Sequence, residues 1–182
     1  MADTMLVILS ILIAQGLLGA LDVLINHEWW ERLPQCPTAM LEQWIHGIRE
    51  LFYAVVFAGL ACFEWHGAWA WLFAGILLIE VMLTGWDFVQ EDRTRVLSAT
   101  ERLMHLALSM GGGAYCALLI PVLIGWSELT TALVPHFYGV YSGLLLTMAV
   151  GVLAWGVRDL LAGLRLYRDS CVASAMARVC PT

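Results

Sequence analysis

The chain contains no lysine; all nine of its basic residues are arginine. Charge of either sign is scarce, at 13% of 182 residues, where a soluble domain carries about 25%. Scarce charge combined with 61% hydrophobic residues excludes a disordered chain, which needs high charge and few aromatics. Five cysteines are too few to staple a chain of this length. Alternation of apolar and polar residues is missing as well. Runs such as Leu6–Ala14 are continuously apolar, which excludes the strands of a membrane barrel. There is no internal repeat, no low-complexity segment and no G-x-G-x-x-G fingerprint for a flavin or nicotinamide cofactor. With a net charge of -6, nothing attracts nucleic acid.

What the sequence does hold is long apolar segments. A spanning helix needs about 20 mostly apolar residues, and five windows meet that, at about 4–26, 40–63, 68–88, 101–123 and 136–157. The connections His27–Ala39, Glu64–Gly67, Val89–Thr100 and Ile124–Pro135 are too short for a soluble domain. The first window has no positive residue before it and is longer than a signal-peptide core, so it reads as a retained span. The expectation is one all-α transmembrane domain over residues 1–182. Helices 1–4 form a four-helix bundle around a polar site, helix 5 packs alongside, and a basic tail follows over 158–182. That tail mixes arginine with leucine, valine and alanine, a composition suited to an anionic leaflet or to docking on a partner.

The arginines set the orientation. Arg32 lies between the first two windows, and Arg93 and Arg95 between the third and fourth. Arg49 and Arg102 lie within windows near the same side, and Arg158, Arg165, Arg168 and Arg178 follow the fifth. All nine therefore fall toward one face, which the positive-inside rule makes cytoplasmic. The N-terminus is then outside and the C-terminus inside, as in a bacterial inner membrane. Cys36, Cys171 and Cys180 face reducing cytoplasm as free thiols. Trp65, Trp69 and Trp71 at one boundary and Trp29 and Trp30 at the other suit interfacial belts. Gly111–Gly113, Gly139 and Gly143 permit close helix approach, and Pro121 kinks or ends helix 4.

Ionisable residues inside spans are costly, at about 2.5–3.5 kcal/mol each near the centre on insertion scales. Here they gather in the cytoplasmic half: Asp22, His27 and Glu28 from helix 1, Glu42, His46, Arg49 and Glu50 from helix 2, Glu80, Asp87 and Glu91 from helix 3, and Glu101, Arg102 and His105 from helix 4. His46 and Glu50 are four apart and share a helical face; so do Glu101 and His105, in reversed order. Helix 1 carries a polar or small stripe, Gln15, Gly19, Asp22 and Asn26, that faces the bundle.

Two helices with a His/Glu pair and two more with carboxylates match the ligand types of a dinuclear carboxylate site. Soluble di-iron bundles use Glu-x-x-His on two helices. The spacing of four differs from that motif, so the likeness is one of ligand set. The metal ligands expected are His46, Glu50, Glu101 and His105, with Glu80 or Asp87 from helix 3 and Asp22 or Glu28 from helix 1. Arg49, Arg102, His27 and Glu91 are placed as supporting partners that hold carboxylates in position. Arg93 and Arg95 are placed in a rim of salt bridges. The set favours two iron ions, or manganese, over zinc. It suggests an oxidoreductase acting on a lipid-soluble substrate, of the oxygenase or desaturase type, with membrane lipids and either a reductase or a larger membrane complex as partners. The alternatives are a non-catalytic subunit of a larger membrane complex whose polar cluster is structural, and a haem b protein with His46 and His105 as axial ligands. A proton relay is disfavoured because the outer halves of the spans hold few ionisable groups.

Overall fold

In the computed structural model, residues 2–179 are described, with side chains from 3 to 172. Cys180 and the side chain of Arg178 lie outside the described residues. The order of elements is α1 (Ala2–Asp22), α2 (Met40–Cys62), β1 (Phe63–His66), α3 (Ala68–Thr94), α4 (Ala99–Ser127), β2 (Ala132–Pro135) and α5 (Val140–Val179). Five helical segments are long and apolar enough to cross a membrane: Asp3–Trp30, Pro37–Cys62, Ala68–Thr94, Ala99–Ser127 and Val140–Val172. Their outward faces are apolar, with Leu78, Met82, Leu103 and Val150 among many large exposed side chains.

α1 continues without a break into a π-helical stretch, Val23–Trp30. Its wider turn shows in the backbone N–H of Glu31, which donates five residues back to the carbonyl of Asn26 at 2.9 Å. Two single turns of 3₁₀ helix, Leu33–Gln35 and Pro37–Ala39, then carry the chain into α2. Each has a proline in its first turn, where no backbone donor is needed. Arg32, at φ +50°, makes the reversal between them and α1. α3 runs six residues beyond the apolar window, to Thr94, leaving a link of only four residues before Ala99. Ser98 caps α4, accepting from the Glu101 backbone N–H at 3.2 Å. α4 passes through Pro121 and ends at Ser127.

The opposite end is closed by a ribbon. β1 and β2 pair antiparallel, Phe63 with Pro135 and His66 with Ala132. Glu64, Trp65 and His66, expected in a plain turn, are strand residues. The ribbon is tied to the helices by the Gly67 N–H to the Trp126 carbonyl and by the Thr131 hydroxyl accepting from Ala68 N–H at the start of α3, and beside it Ser142 Oγ of α5 donates to the Ala61 carbonyl of α2 at 2.6 Å. The main apolar core lies in this half, around Ile8, Leu12, Leu60, Phe73, Leu119 and Leu145.

α5 is a single helix through the segment expected to be a surface tail. It packs along α2 and also meets α1, while α4 packs on α1 and α3. Glycines make the α2–α5 approach close: a Cβ on Gly47 would press on the Gly156 carbonyl at 3.0 Å. Each helix therefore brings the same end, the one opposite the ribbon, to the polar residues.

Gly67 sits at φ +60°, ψ -125°, and a Cβ there would collide with the Thr131 backbone. Gly67→Ala should destabilise the protein by about 1–3 kcal/mol, seen as a lower unfolding midpoint by circular dichroism in detergent. An unchanged midpoint would show that the ribbon contributes nothing to closing this end.

Candidate metal centre

At the end opposite the ribbon, four helices each turn two polar side chains inward. α2 supplies Glu42 and His46, and α4 supplies Glu101 and His105, both pairs four residues apart on one face. α3 supplies Asp87 and Glu91, again four apart. α1 supplies Asp22 and His27, five apart, and this spacing reaches one face only because the helix has widened into its π stretch. Asn26 in the same stretch donates to Asp22 Oδ1 at 2.6 Å.

Glu91 is at the centre and fully buried. One oxygen stands 3.8 Å from His46 Nε2 and the other 3.4 Å from His105 Nδ1. His105 Nε2 turns its other side to Asp22, at 3.3 Å. His46 Nε2 lies 3.0 Å from Asp87 Oδ2. His27 stacks on His46 with ring centres 4.6 Å apart, and its Nε2 is 3.6 Å from Glu101. Donor atoms of His27, Glu91, Glu101 and His105 all lie within 4.8 Å of one another, and so do those of Glu42, His46 and Glu91. Glu91 belongs to both groups.

Two arginines flank this layer. Arg95, just past α3, folds its guanidinium back beneath the bundle. It donates to both oxygens of Glu101 at 2.8 and 2.6 Å and to Glu42 at 2.8 Å. Burial alone would lower its pKa, but the Glu101 and Glu42 carboxylates outweigh that and hold it above its ordinary value. On the deeper side, Arg49 pairs with Asp87 at 2.5 Å and Glu80 at 3.4 Å, and Thr84 donates to Glu80 at 2.8 Å.

Several sequence expectations are corrected by these positions. Glu50 turns from the cluster toward α5, where a Cβ in place of the Gly156 hydrogen would meet its Cβ at 3.0 Å. Glu28 pairs with Arg158 of α5. Glu80 is taken up by Arg49, one level deeper. Arg102 is exposed and donates to the Leu97 carbonyl. His27 and Glu91, expected as supporting partners, stand inside the cluster. Arg95, expected at an exposed rim, is its main cation. Glu42 was not among the expected ligands, yet it is four residues before His46 as Glu101 is four before His105. The repeated Glu-x-x-x-His spacing was the available signal.

The charges do not balance. Among the described residues the buried layer holds Asp22, Glu42, Glu80, Asp87, Glu91 and Glu101, but only Arg49 and Arg95 as permanent cations. Both oxygens of Glu91, one of Asp87, Nε2 of His27 and Nδ1 of His46 are buried without a hydrogen-bond partner, Arg95 reaching Glu91 only as an ion pair at 3.7 Å. Unpaired buried carboxylates are costly unless protons or cations offset them.

A cavity of about 510 Å³ opens on this layer. Asp22, His27, His46, Asp87 and His105 line its floor, while Glu42, Glu91 and Glu101 lie outside its lining.

Comparison with protein families, curated proteins and solved structures returns no match for this chain.

Arg95→Met should leave Glu42 and Glu101 buried without their cation and cost about 3–5 kcal/mol, whereas the exposed Arg93→Met should stay within about 0.5 kcal/mol. Thermal unfolding of the two variants in one detergent compares them. Equal midpoints would show that the Arg95 contacts carry no weight.

Proposed function

We propose that the chain is an integral membrane protein holding a dinuclear metal centre, with two iron ions or manganese, and that it acts as an oxidoreductase on a lipid-soluble substrate. The observation that carries this reading is Glu91, fully buried, without hydrogen bonds, and common to two groups of potential ligands. A carboxylate with one oxygen toward each group is suited to bridge two cations. His27, Glu101 and His105 would complete one position, and Glu42 and His46 the other. Three carboxylates with three imidazoles and no thiolate make a mixed oxygen and nitrogen set that iron or manganese accepts. Donor atoms within 4.8 Å suit ions bound at about 2.0–2.2 Å after small rotations of the side chains.

Two ions so placed supply Lewis acidity and one-electron redox capacity. The chain's own residues do the rest. Asp22 holds His105 through Nε2 while Nδ1 faces Glu91, as outer carboxylates do around metal-bound histidines, whereas Asp87 contacts the same His46 nitrogen, Nε2, that faces Glu91. Arg95 offsets the two glutamates on the solvent side, and Arg49 anchors Asp87 on the deep side. Glu42, Glu91 and Glu101 are fully buried, so their charges act in a low dielectric.

The haem alternative finds less support, because a single carboxylate occupies the space shared by His46 and His105. A purely structural ion-pair plug would match acids with bases, and here carboxylates exceed arginines. In the bilayer the arginine-rich end is cytoplasmic, with the ribbon outside.

Metal analysis of the purified protein should find two iron or manganese ions per chain. Glu91→Ala should lose most of both, His46→Ala about half, and Glu50→Gln none. Less than one ion per chain, unchanged by His46→Ala, would remove the reading. For orientation, an impermeant maleimide should label Cys36 only after the membrane is opened, and should label Glu128→Cys in intact cells. The reverse pattern would invert the topology.

A further inference from the structure

We infer that the cavity above the cluster binds an uncharged long-chain lipid, with its hydroxyl or carbonyl head toward the imidazoles and its chain leaving sideways between α3 and α4. This deepens the oxidoreductase reading, and the functional meaning of the head's position rests on it.

The cavity runs inward from the floor residues past all five helices. Its volume falls in the usual range for small-molecule sites, about 300–1,000 Å³. Phe57, Phe88, Leu108, Met148 and Val152 give it apolar walls. Its lining also reaches the outer surface. Val81, at the middle of α3, is 53% exposed, and Gly113, at the middle of α4, is exposed with no atom within 4 Å of a built Cβ. These exposed lining residues lie at mid-helix on the apolar perimeter, so a chain leaving past them would enter the bilayer rather than water.

The opposite wall, between α2 and α5, carries two buried polar atoms without partners, Glu50 Oε2 and Trp155 Nε1, and both residues line the cavity. They offer an acceptor and a donor to an oxygen-bearing head near His46. The head's charge follows from the cations. Arg49 is the one arginine in the lining, and Asp87 and Glu80 already engage it. A fatty carboxylate would find no free counter-ion and several carboxylates nearby. A neutral alcohol or carbonyl head meets no such repulsion.

The test uses nanodisc-embedded protein and a diazirine-tagged hexadecanol, with cross-links mapped by peptide mass spectrometry and metal content measured on the same sample. Saturable labelling of α3 and α4 residues around Val81 and Gly113 is expected. Unlabelled hexadecanol should compete at least about tenfold better than hexadecanoate, a ratio expected if charge decides the fit. Gly113→Trp should abolish that labelling with metal content unchanged, and Val81→Trp serves if the first variant does not fold. Labelling undiminished in a folded portal variant, equal competition by hexadecanoate, or cross-links confined to Leu24 and Gly151 on the α1–α5 edge would each overturn the inference. Saturable labelling in metal-free protein would instead refute the metal centre and leave the lipid site standing. Metal-loaded protein without saturable labelling would do the opposite.

Discussion

Buried negative charge is the constraint around which this protein is arranged. Six carboxylates gather at one end of a helical assembly whose outside is apolar. Unpaired, such groups are among the costliest things a low-dielectric interior can hold. The short links, the return of Arg95 under the bundle and the widening of α1 all place a donor, an imidazole or a guanidinium beside one of these acids. The apolar half, by contrast, is secured by ordinary packing and a ribbon, whose one acid, Glu64, meets His66 and His136 at the edge.

The cluster and the cavity divide the acids by role. Asp22, Asp87, Glu80 and the imidazoles stand on the cavity side, and Glu42, Glu91 and Glu101 are screened behind them. Groups on the cavity side can meet a ligand, while those behind can only meet a cation or Arg95. That division suits a centre in which long carboxylates neutralise ions and the ligand meets the exposed face. Glu50 of α2 and Trp155 of α5 line the cavity as well, so α5 adds a wall to the cavity besides packing on α2.

The five apolar segments were legible because an unbroken apolar run of about 20 residues matches the thickness of a bilayer and little else in a folded chain. Their ends were less so. α3 and α4 run into charged sequence, since ion pairs inside the assembly satisfy residues such as Asp87 and Glu101 that composition alone assigns to an aqueous boundary. The continuation of α5 was hidden for the same reason. At the site, the level shared by His46 and His105 could be read from spacing and alternation. Which carboxylate accompanies His46 could not, because Glu42 and Glu50 both lie four residues away and the choice depends on where α5 packs. Glu91 was placed at the edge because the apolar window of helix 3 stops at residue 88. Arg95 was unreadable as a cluster cation, since its position depends on a backbone reversal just past α3.

The π stretch of α1 ties chain length to rotation. Asp22 and His27 reach one face across five residues, where a regular helix would need four. Losing a single residue between them would restore the narrower coil and turn everything before it by about 100°. Gln15 would leave its seat against the Leu108 carbonyl, and outward-facing leucines such as Leu17 would swing inward. This stretch should therefore accept exchanges of side chain far more readily than any change in its number of residues, a rigidity of count rather than of composition.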